Sequence, residues 1–238
     1  MTRTIQLNNV DHHDLNVITR HAAEFGDAVN EVLIFPTEFE DIQREYPIFF
    51  RFDASGDLQA VALLGLDRDE NLFLDESGWQ ADYVPAAHQR GPFVIGTGEE
   101  GGEPMIHVDP DHPRIVRGAG EGQPLFLPEG GNSPYLEHVA GVLRTIHTGL
   151  DLIRPMFEAF EDAELIERVA VQVQLSDTEQ YDLPDYSTIS AERLGMLDGA
   201  ALKRLHRAGF LYPAFLVVAS TANVNRLIER KLARINAG

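Results

Sequence analysis

Cysteine is absent from this chain of 238 residues, and tryptophan occurs once, at Trp79. Without thiols the protein can form no disulfide, no thiolate zinc site and no iron–sulfur centre, and it has no cysteine nucleophile. Any metal or catalytic chemistry must therefore use histidine, carboxylate or hydroxyl side chains.

Long apolar segments are also missing. The first residues, MTRTIQLNNVDHHD, lack the apolar core of a secretory signal. No apolar run approaches the roughly 20 residues that are needed to span a bilayer. These two absences predict a cytoplasmic protein that does not insert into membranes.

Basic residues are scarce. The chain has 19 lysines and arginines against 38 aspartates and glutamates, which gives a formal net charge of −19. Because phosphate contacts supply most non-specific affinity, this charge argues against nucleic acids and anionic membranes as partners. Residues 203–238 are the exception, with seven basic residues and one acidic residue. This segment is either a solvated helix face or a docking surface for an acidic protein partner.

The pattern of the chain predicts an α+β fold. An antiparallel β-rich half, residues 1–130, is expected to pack on a mostly helical half, residues 131–238, as one compact domain. A short helix is expected at 14–24. Alternating or β-branched runs bounded by turn residues predict strands at 31–35, 47–53, 58–66, 71–75, 79–84, 93–95 and 105–108.

The helical half begins at Ser133, a favourable N-cap that is followed by proline at the first helical position. Apolar residues then recur every three or four positions as far as Phe160 and predict one amphipathic helix. Pro155 is expected to kink or split this helix. After it, the pattern predicts a β insertion at 169–175, 181–183 and 186–189, then helices capped by Ser190 and Asp198, and two last helices at 213–220 and 224–235.

Two glycine-rich segments, 96–104 and 118–124, resemble phosphate-binding loops only superficially. Neither matches the G-x-x-x-x-G-K-[ST] pattern, neither contains lysine, and their acidic residues would repel phosphate. Both segments are predicted to be hairpin loops.

The sequence His107-Val108-Asp109 matches the first two ligands of an Fe(II)/2-oxoglutarate dioxygenase. The alternative is that His107 lies at a strand edge and that Asp109 caps the turn after it. A third ligand would have to come from His138, His147 or His206. No G-x-S-x-G motif is present, and neither a catalytic residue nor a metal ligand nor a cofactor is assigned.

The most distinctive stretch is residues 63–93, which combines turn residues with the aromatic and arginine cluster Trp79, Tyr83, Arg90 and Phe93. Tryptophan, tyrosine and arginine dominate the energetic centres of interfaces because they join a large area to a polar group. The same residue types also suit a loop that packs on a sheet. The cluster is therefore a candidate binding site, with core packing as the alternative.

Short elements spread along the chain resemble the SapC family of bacterial proteins, in unbroken order over residues 31–232. Gly91 departs from the family pattern, since an aromatic residue is expected there, and Phe49 and Phe50 are larger than the usual aliphatic residues. The matching elements are Phe35-Pro36, Tyr46-Pro47-Ile48, Leu64-Gly65-Leu66, Asn71-Leu72-Phe73, Trp79, Tyr83-Val84-Pro85, Pro92-Phe93, Asp109, Leu125-Phe126, Gly130, Leu202, Leu205, Gly209, Ser220, Asn223 and Leu227.

The resemblance implies a function but no catalytic residues. The name associates the family with bacterial surface-layer proteins, and its members occur beside TonB-dependent receptors, tryptophan-halogenase-like flavoproteins and cupin-like oxygenases. We therefore expect a non-enzymatic binding or accessory protein that acts with a protein partner, either an oxygenase- or halogenase-like protein or an uptake system. An Fe(II)-dependent oxygenase and a structural surface-layer component are the alternatives, and the oligomeric state stays open.

Overall fold

Short antiparallel strands make up most of the regular structure before residue 130. The computed structural model describes residues 4–97, 104–118, 120–174 and 180–237. In these ranges the strands are β1 (Ile5–Gln6), β2 (Leu15–Val17), β3 (Glu31–Ile34), β4 (Ile48–Phe52), β5 (Leu58–Leu63), β6 (Leu74–Asp75), β7 (Gly78–Trp79), β8 (Phe93–Thr97), β9 (Pro104–Val108), β10 (Ile115–Arg117), β11 (Gln123–Pro124), β12 (Ile166–Gln174) and β13 (Gln180–Ile189).

Five strands form the central antiparallel sheet, in the order β12-β13-β4-β5-β3. Ala60 of β5 lies opposite Phe50 of β4 on one side and Ile34 of β3 on the other. The hairpin β12–β13 joins the sheet where Ser187 pairs with Phe50. Because this hairpin follows residue 131, the central sheet contains strands from both halves of the chain.

Three smaller sheets complete the described β structure, with the orders β1-β9-β8, β10-β2-β11 and β6-β7. The predicted helix at 14–24 is wrong. Leu15 and Val17 are instead buried in β2, which pairs with β10 a hundred residues later and with β11. A local pattern does not contain this signal, because both partners of β2 are remote in the sequence.

Helices dominate the chain after residue 130, and the predicted α+β class is confirmed. In the described ranges no helix is both long and apolar enough to cross a bilayer. Single 3₁₀ turns lie at Ala23–Phe25, Pro36–Glu38 and Thr221–Asn223. The α-helices are α1 (Phe39–Ile42), α2 (Ala86–Gln89), α3 (Pro134–Asp162), α4 (Ala191–Gly195), α5 (Gly199–Ala208), α6 (Leu211–Ser220) and α7 (Val224–Ala237).

The predicted N-caps are confirmed, and α3 is one unbroken helix. The Ser133 hydroxyl accepts the amide of Leu136 at 3.2 Å, and Asp198 Oδ1 accepts that of Ala201 at 2.7 Å. Of the two outcomes predicted for Pro155, a kink or a split, the split is wrong. Pro155 lies on the exposed side of α3, where water can solvate the carbonyl that the proline leaves without a partner.

The apolar stripe of α3 packs against two separate cores. Its C-terminal part contributes Met156, Phe157 and Phe160 to the core beneath the central sheet. There the ring of Phe50 meets that of Phe157 edge-on, with the ring centres 4.9 Å apart. The N-terminal part of the stripe contributes Leu136, Val139 and Leu143 to a second core with Leu15, Phe93, Val108 and Leu125. One helix therefore joins the central sheet to the small sheets.

The cations of α7 bind the protein itself. Lys231, which is 8% exposed, donates to Asp67 Oδ2 at 2.5 Å and to Glu70 Oε1 at 2.7 Å. Burial disfavours its ammonium, yet the two carboxylates raise the pKa of Lys231 above its ordinary value. Three arginines of the same helix donate to backbone carbonyls: Arg226 to that of Arg44 at 2.7 Å, Arg230 to that of Gln80 at 2.9 Å, and Arg234 to that of Leu74 at 2.7 Å.

Within the basic segment predicted over 203–238, α5 carries cations for which no hydrogen bond or ion pair with a described residue is found. Lys203, Arg204 and Arg207 of that helix are exposed. Sequence composition cannot distinguish the cations of α5 from those of α7, because the partners of α7 lie between 150 and 182 positions earlier in the chain.

Candidate functional site

A cavity of about 470 Å³ opens between residues 18–21, residues 82–91, the start of β10 and the first turn of α3. This volume lies within the range of small-molecule sites. The pairing of β2 with β10 brings the first and third of these segments together, and the amide of Ile18 donates to the carbonyl of Arg114 at 2.9 Å. The lining is partly apolar and partly polar, and includes Tyr83, Val84 and Tyr135 together with His21, His88 and His138.

A buried carboxylate, Asp27, holds the polar side of the cavity in place. Its side chain is 3% exposed. Oδ2 accepts from Arg114 Nη2 at 2.6 Å, from the amide of Ala22 at 2.9 Å and from His21 Nδ1 at 3.3 Å. Oδ1 accepts from His88 Nδ1 at 3.2 Å. Four donors from three segments of the chain thus converge on one side chain.

These donors determine the protonation of the network. Burial alone would favour neutral Asp27, but the hydrogen bonds from the two imidazoles and the charge of Arg114 hold its pKa well below the ordinary value. Asp27 is therefore a carboxylate, which can only accept hydrogen bonds. Nδ1 of His21 and of His88 must carry a proton, so the neutral form of each ring has its lone pair at Nε2.

Arg114 makes three side-chain hydrogen bonds and its charge is compensated by Asp27. Besides Asp27, its guanidinium donates to the carbonyls of Ile18 at 3.0 Å and of Arg20 at 2.5 Å, and it lies 4.5 Å from the centre of the Phe25 ring. The residue is 4% exposed. Its role is to hold together the segments that form the cavity.

Several polar atoms of the cavity lining have no hydrogen-bond partner within the described ranges, and one of them is buried. Nε2 of His88 is buried and makes no hydrogen bond there. The hydroxyl of Tyr135 also has no hydrogen-bond partner among the described residues, and burial raises its pKa to about 12. Native proteins rarely leave a buried polar atom unpaired, so His88 Nε2 marks the cavity as a place where a ligand can complete the bonding.

Trp79 lies behind the cavity, between the two imidazoles and the main core. The centre of its ring system lies 5.3 Å from that of His21 and 5.1 Å from that of His88. Its indole Nε1 donates to the hydroxyl of fully buried Tyr46 at 2.8 Å, and that hydroxyl donates to the carbonyl of Tyr83 at 2.5 Å. Trp79 therefore fixes both imidazoles and one wall of the cavity.

Tyr83 forms that wall through a second buried carboxylate. Its hydroxyl donates to Glu38 Oε2 at 2.8 Å, and the amides of Ala86 and Phe35 donate to the same side chain at 2.8 Å and 3.1 Å. Glu38 is 1% exposed. Burial raises the pKa of Glu38 in spite of these three bonds.

The four residues predicted to form a binding site lie near one another but differ in access to the cavity. Tyr83 lines it, and Trp79 supports it from behind. Phe93 is fully buried in the second core, and Arg90 donates to the Phe93 carbonyl at 2.9 Å. Burial lowers the pKa of Arg90. Arg90 and Phe93 thus hold the 82–93 segment in place.

Gly91, the departure from the family pattern, also lines the cavity. Its backbone adopts a left-handed conformation, with φ of 53°, and a Cβ built there would lie 3.9 Å from the hydroxyl oxygen of Tyr135. A larger side chain at this position would enter the cavity next to that hydroxyl. The glycine therefore leaves space for a ligand.

The His107-Val108-Asp109 sequence does not lie at this cavity. The imidazole of His107 covers Gly96, since a Cβ built on that glycine would be 2.3 Å from Nε2. Asp109 Oδ1 accepts the amide of Asp111 at 3.1 Å, as a turn cap does. Within the described ranges no three histidine, aspartate or glutamate side chains are grouped so that they could hold a metal ion.

A wider cleft of about 630 Å³ lies between the β4–β5 hairpin and α3. Its lining includes Arg154 and Glu158, an ion pair whose side chains are 89% and 58% exposed. Exposed pairs of this kind are solvated and weak. The first cavity is the better candidate site because its polar groups are buried and fixed.

Family comparison agrees with the short elements that the sequence shows. The family model of SapC matches residues 7–227. The chain belongs to the SapC family. Comparisons with curated proteins and with solved structures found no match. The match includes the whole cavity lining, so the cavity is part of the region that this SapC protein shares with its family.

His21, Asp27, His88, Arg114 and Tyr135 are not predicted as site residues from the sequence. They are single polar residues without a motif, and the Asp27 contacts to His88 and Arg114 span 61 and 87 positions. The only available signal is the position of His88 and Arg90 within the distinctive 63–93 stretch.

Proposed function

We propose that this SapC protein is a non-enzymatic binding protein that holds a small organic ligand in the cavity built around Asp27. One observation carries the proposal: a buried ionic network fixes the polar lining, while His88 Nε2 and the Tyr135 hydroxyl have no partner within the described ranges. Binding sites combine such fixed polar groups with apolar walls, which Tyr83 and Val84 supply here.

Rigidity of the lining favours binding. A site whose side chains are already ordered loses little conformational entropy when a ligand enters. Asp27 orders both imidazoles, Trp79 packs against them, and Tyr46 connects Trp79 to the Tyr83 wall. The ligand gains hydrogen bonds without having to order these groups.

An accessory role beside a partner protein completes the proposal. This part rests on the family resemblance, which associates SapC proteins with oxygenase- or halogenase-like proteins and with TonB-linked uptake. A protein that holds a ligand without transforming it fits such a role, since it can store the ligand or present it to the partner.

The fluorescence of Trp79 tests the proposal, because this only tryptophan contacts both cavity imidazoles. The purified protein is titrated with three phenyl compounds of nearly equal size: cationic 2-phenylethylamine, neutral 2-phenylethanol and anionic phenylacetate. We expect a saturable fluorescence change with at least one of them. Isothermal titration calorimetry should give one site per chain.

A matched pair of double variants locates the binding. Thr19→Phe/His138→Phe places two rings at the mouth of the cavity, and both replaced residues are exposed. Thr148→Phe/His147→Phe makes the same two changes on the exposed surface of α3 away from the cavity. The first variant should lose binding at least tenfold and the second should retain it. Absence of saturation with all three compounds, or equal binding by both variants, would refute the proposal.

A further inference from the structure

The orientation of the two imidazoles selects the chemistry of the ligand. Because the Asp27 carboxylate accepts from both Nδ1 atoms, Nε2 is the nitrogen of each ring that is left for a ligand, and it presents a lone pair when the ring is neutral. Neither Nε2 atom has a partner within the described ranges, and that of His88 is buried. Acceptors of this kind bind a ligand that donates hydrogen bonds, such as an ammonium group, and repel a carboxylate.

The charges near the cavity also favour a cationic ligand. Arg114 is compensated by Asp27 and by two carbonyls, so the buried network adds little net charge. Asp82, on the lining, is exposed and makes no ion pair with a described residue. A neighbouring cleft of about 400 Å³ shares Tyr83, Gln89 and His138 with the cavity, and its lining includes the carboxylates of Asp41 and Glu137 but no lysine or arginine.

Aromatic rings on the cavity lining are the third feature that favours a cationic ligand. Tyr83 and Tyr135 both line the cavity. The face of a tyrosine ring attracts a cation through its quadrupole, and its edge and body pack against apolar groups. The Tyr135 hydroxyl, which has no partner in the described ranges, can accept a hydrogen bond from an ammonium group.

We infer that the ligand of this cavity is an organic cation, a protonated amine carried on an aromatic or apolar body. The ammonium group would lie among the imidazole lone pairs, the Tyr135 hydroxyl and Asp82, and the apolar body against Val84 and the tyrosine rings. This inference rests on the proposed function, since it assigns a chemical class to the ligand of the same cavity.

The same three phenyl compounds test the class by their relative affinities. We expect 2-phenylethylamine to bind at least tenfold more tightly than 2-phenylethanol, and phenylacetate to bind more weakly than the alcohol. The affinity of the amine should fall as salt is raised from 0.02 to about 0.5 M, while that of the alcohol should stay constant, because only the charged ligand is screened.

A charge-removing variant separates this inference from the proposed function. Asp82→Asn should reduce the ratio of the affinity for 2-phenylethylamine to that for 2-phenylethanol at least threefold. Asp151→Asn, at an exposed position of α3, should leave this affinity ratio unchanged. If the alcohol or phenylacetate binds most tightly in the cavity, the binding function stands and the cation class is wrong. An equal affinity ratio in the two variants would also show that the ligand is not an organic cation. If none of the compounds binds, the proposed function itself fails.

Discussion

Replacing Asp27 by asparagine tests the central physical argument about this structure. Asp27→Asn preserves the shape of the side chain but removes its charge and one of its two acceptor oxygens. The groups around it are all donors: Nδ1 of His21, Nδ1 of His88, the Arg114 guanidinium and the Ala22 amide. An amide nitrogen placed among them leaves donor facing donor, and the guanidinium loses its counter-charge.

The expected cost follows from burial. The side chains of Asp27 and Arg114 are 3% and 5% exposed, so water cannot replace the lost partner. Breaking a buried ion pair by removing one member costs about 3–5 kcal/mol. For a chain of this length, that loss lowers the melting temperature by roughly 6–20 °C. Glu158→Gln, in the exposed pair with Arg154, should cost no more than about 1 kcal/mol.

The pH dependence of the unfolding free energy is an independent test of the Asp27 charge, because the direction of the change is defined. The folded-state pKa of Asp27 lies below the ordinary value of 3.8, so the carboxylate stabilises the fold fully above that pH. As the pH falls below 3.8, the unfolded chain binds the proton first, and the stabilisation is progressively lost. The difference in unfolding free energy between the parent protein and Asp27→Asn should therefore be constant near neutrality and shrink in acid.

Urea unfolding at a series of pH values measures these quantities. Far-ultraviolet circular dichroism reports the transition, and the midpoint and slope give the unfolding free energy. A loss for Asp27→Asn at pH 7 as small as that for Glu158→Gln would show that the Asp27 network does not stabilise the fold. A difference that grows as the pH falls below 3.8 would contradict the assigned ionisation state.

Two further predictions concern α3, and each has a control in the same helix. Leu143→Ala should cost about 2–5 kcal/mol in urea unfolding because Leu143 is 3% exposed, whereas Leu150→Ala, at a residue that is 50% exposed, should cost under about 1 kcal/mol. Gly149→Ala should destabilise by about 1–3 kcal/mol, since its Cβ would lie 2.4 Å from that of Phe35. Gly141→Ala meets only ordinary contacts and should stabilise by about 0.4–1 kcal/mol, and equal effects of the two glycine changes would contradict the packing described.

Local sequence patterns predict the elements that are stabilised by contacts between residues close together in the chain. The start of α3 follows from Ser133 and the proline after it, and the β4–β5 hairpin follows from two apolar runs around a turn. The strand predicted at 79–84 is wrong beyond Trp79. There the carboxylate of Glu45 accepts the amides of Asp82 and Tyr83 at 2.9 Å and 3.2 Å, and these bonds replace a strand partner.

The site is only partly predictable for a related reason. The 63–93 stretch is distinctive in the sequence, and the structure places Trp79 and Tyr83 at the cavity. Asp27 carries no sequence signal, because a buried aspartate in a weakly patterned segment looks like a surface residue until its partners are known. Its contact with Arg114 depends on the pairing of β2 with β10, which are about a hundred residues apart.

Core packing and ligand recognition are alternatives for the Trp79 cluster at the level of sequence, but in the structure the Trp79 side chain lies both against the main core and behind the cavity. The indole packs on the main core and donates to buried Tyr46, and its ring contacts both imidazoles behind the cavity. Trp79→Ala therefore removes core volume and cavity support together, and loss of binding in that variant would not identify a binding residue. His138, exposed and on the cavity lining, can be changed with little effect on either core. The function of this cavity is best tested at such lining positions, where binding and stability are separable.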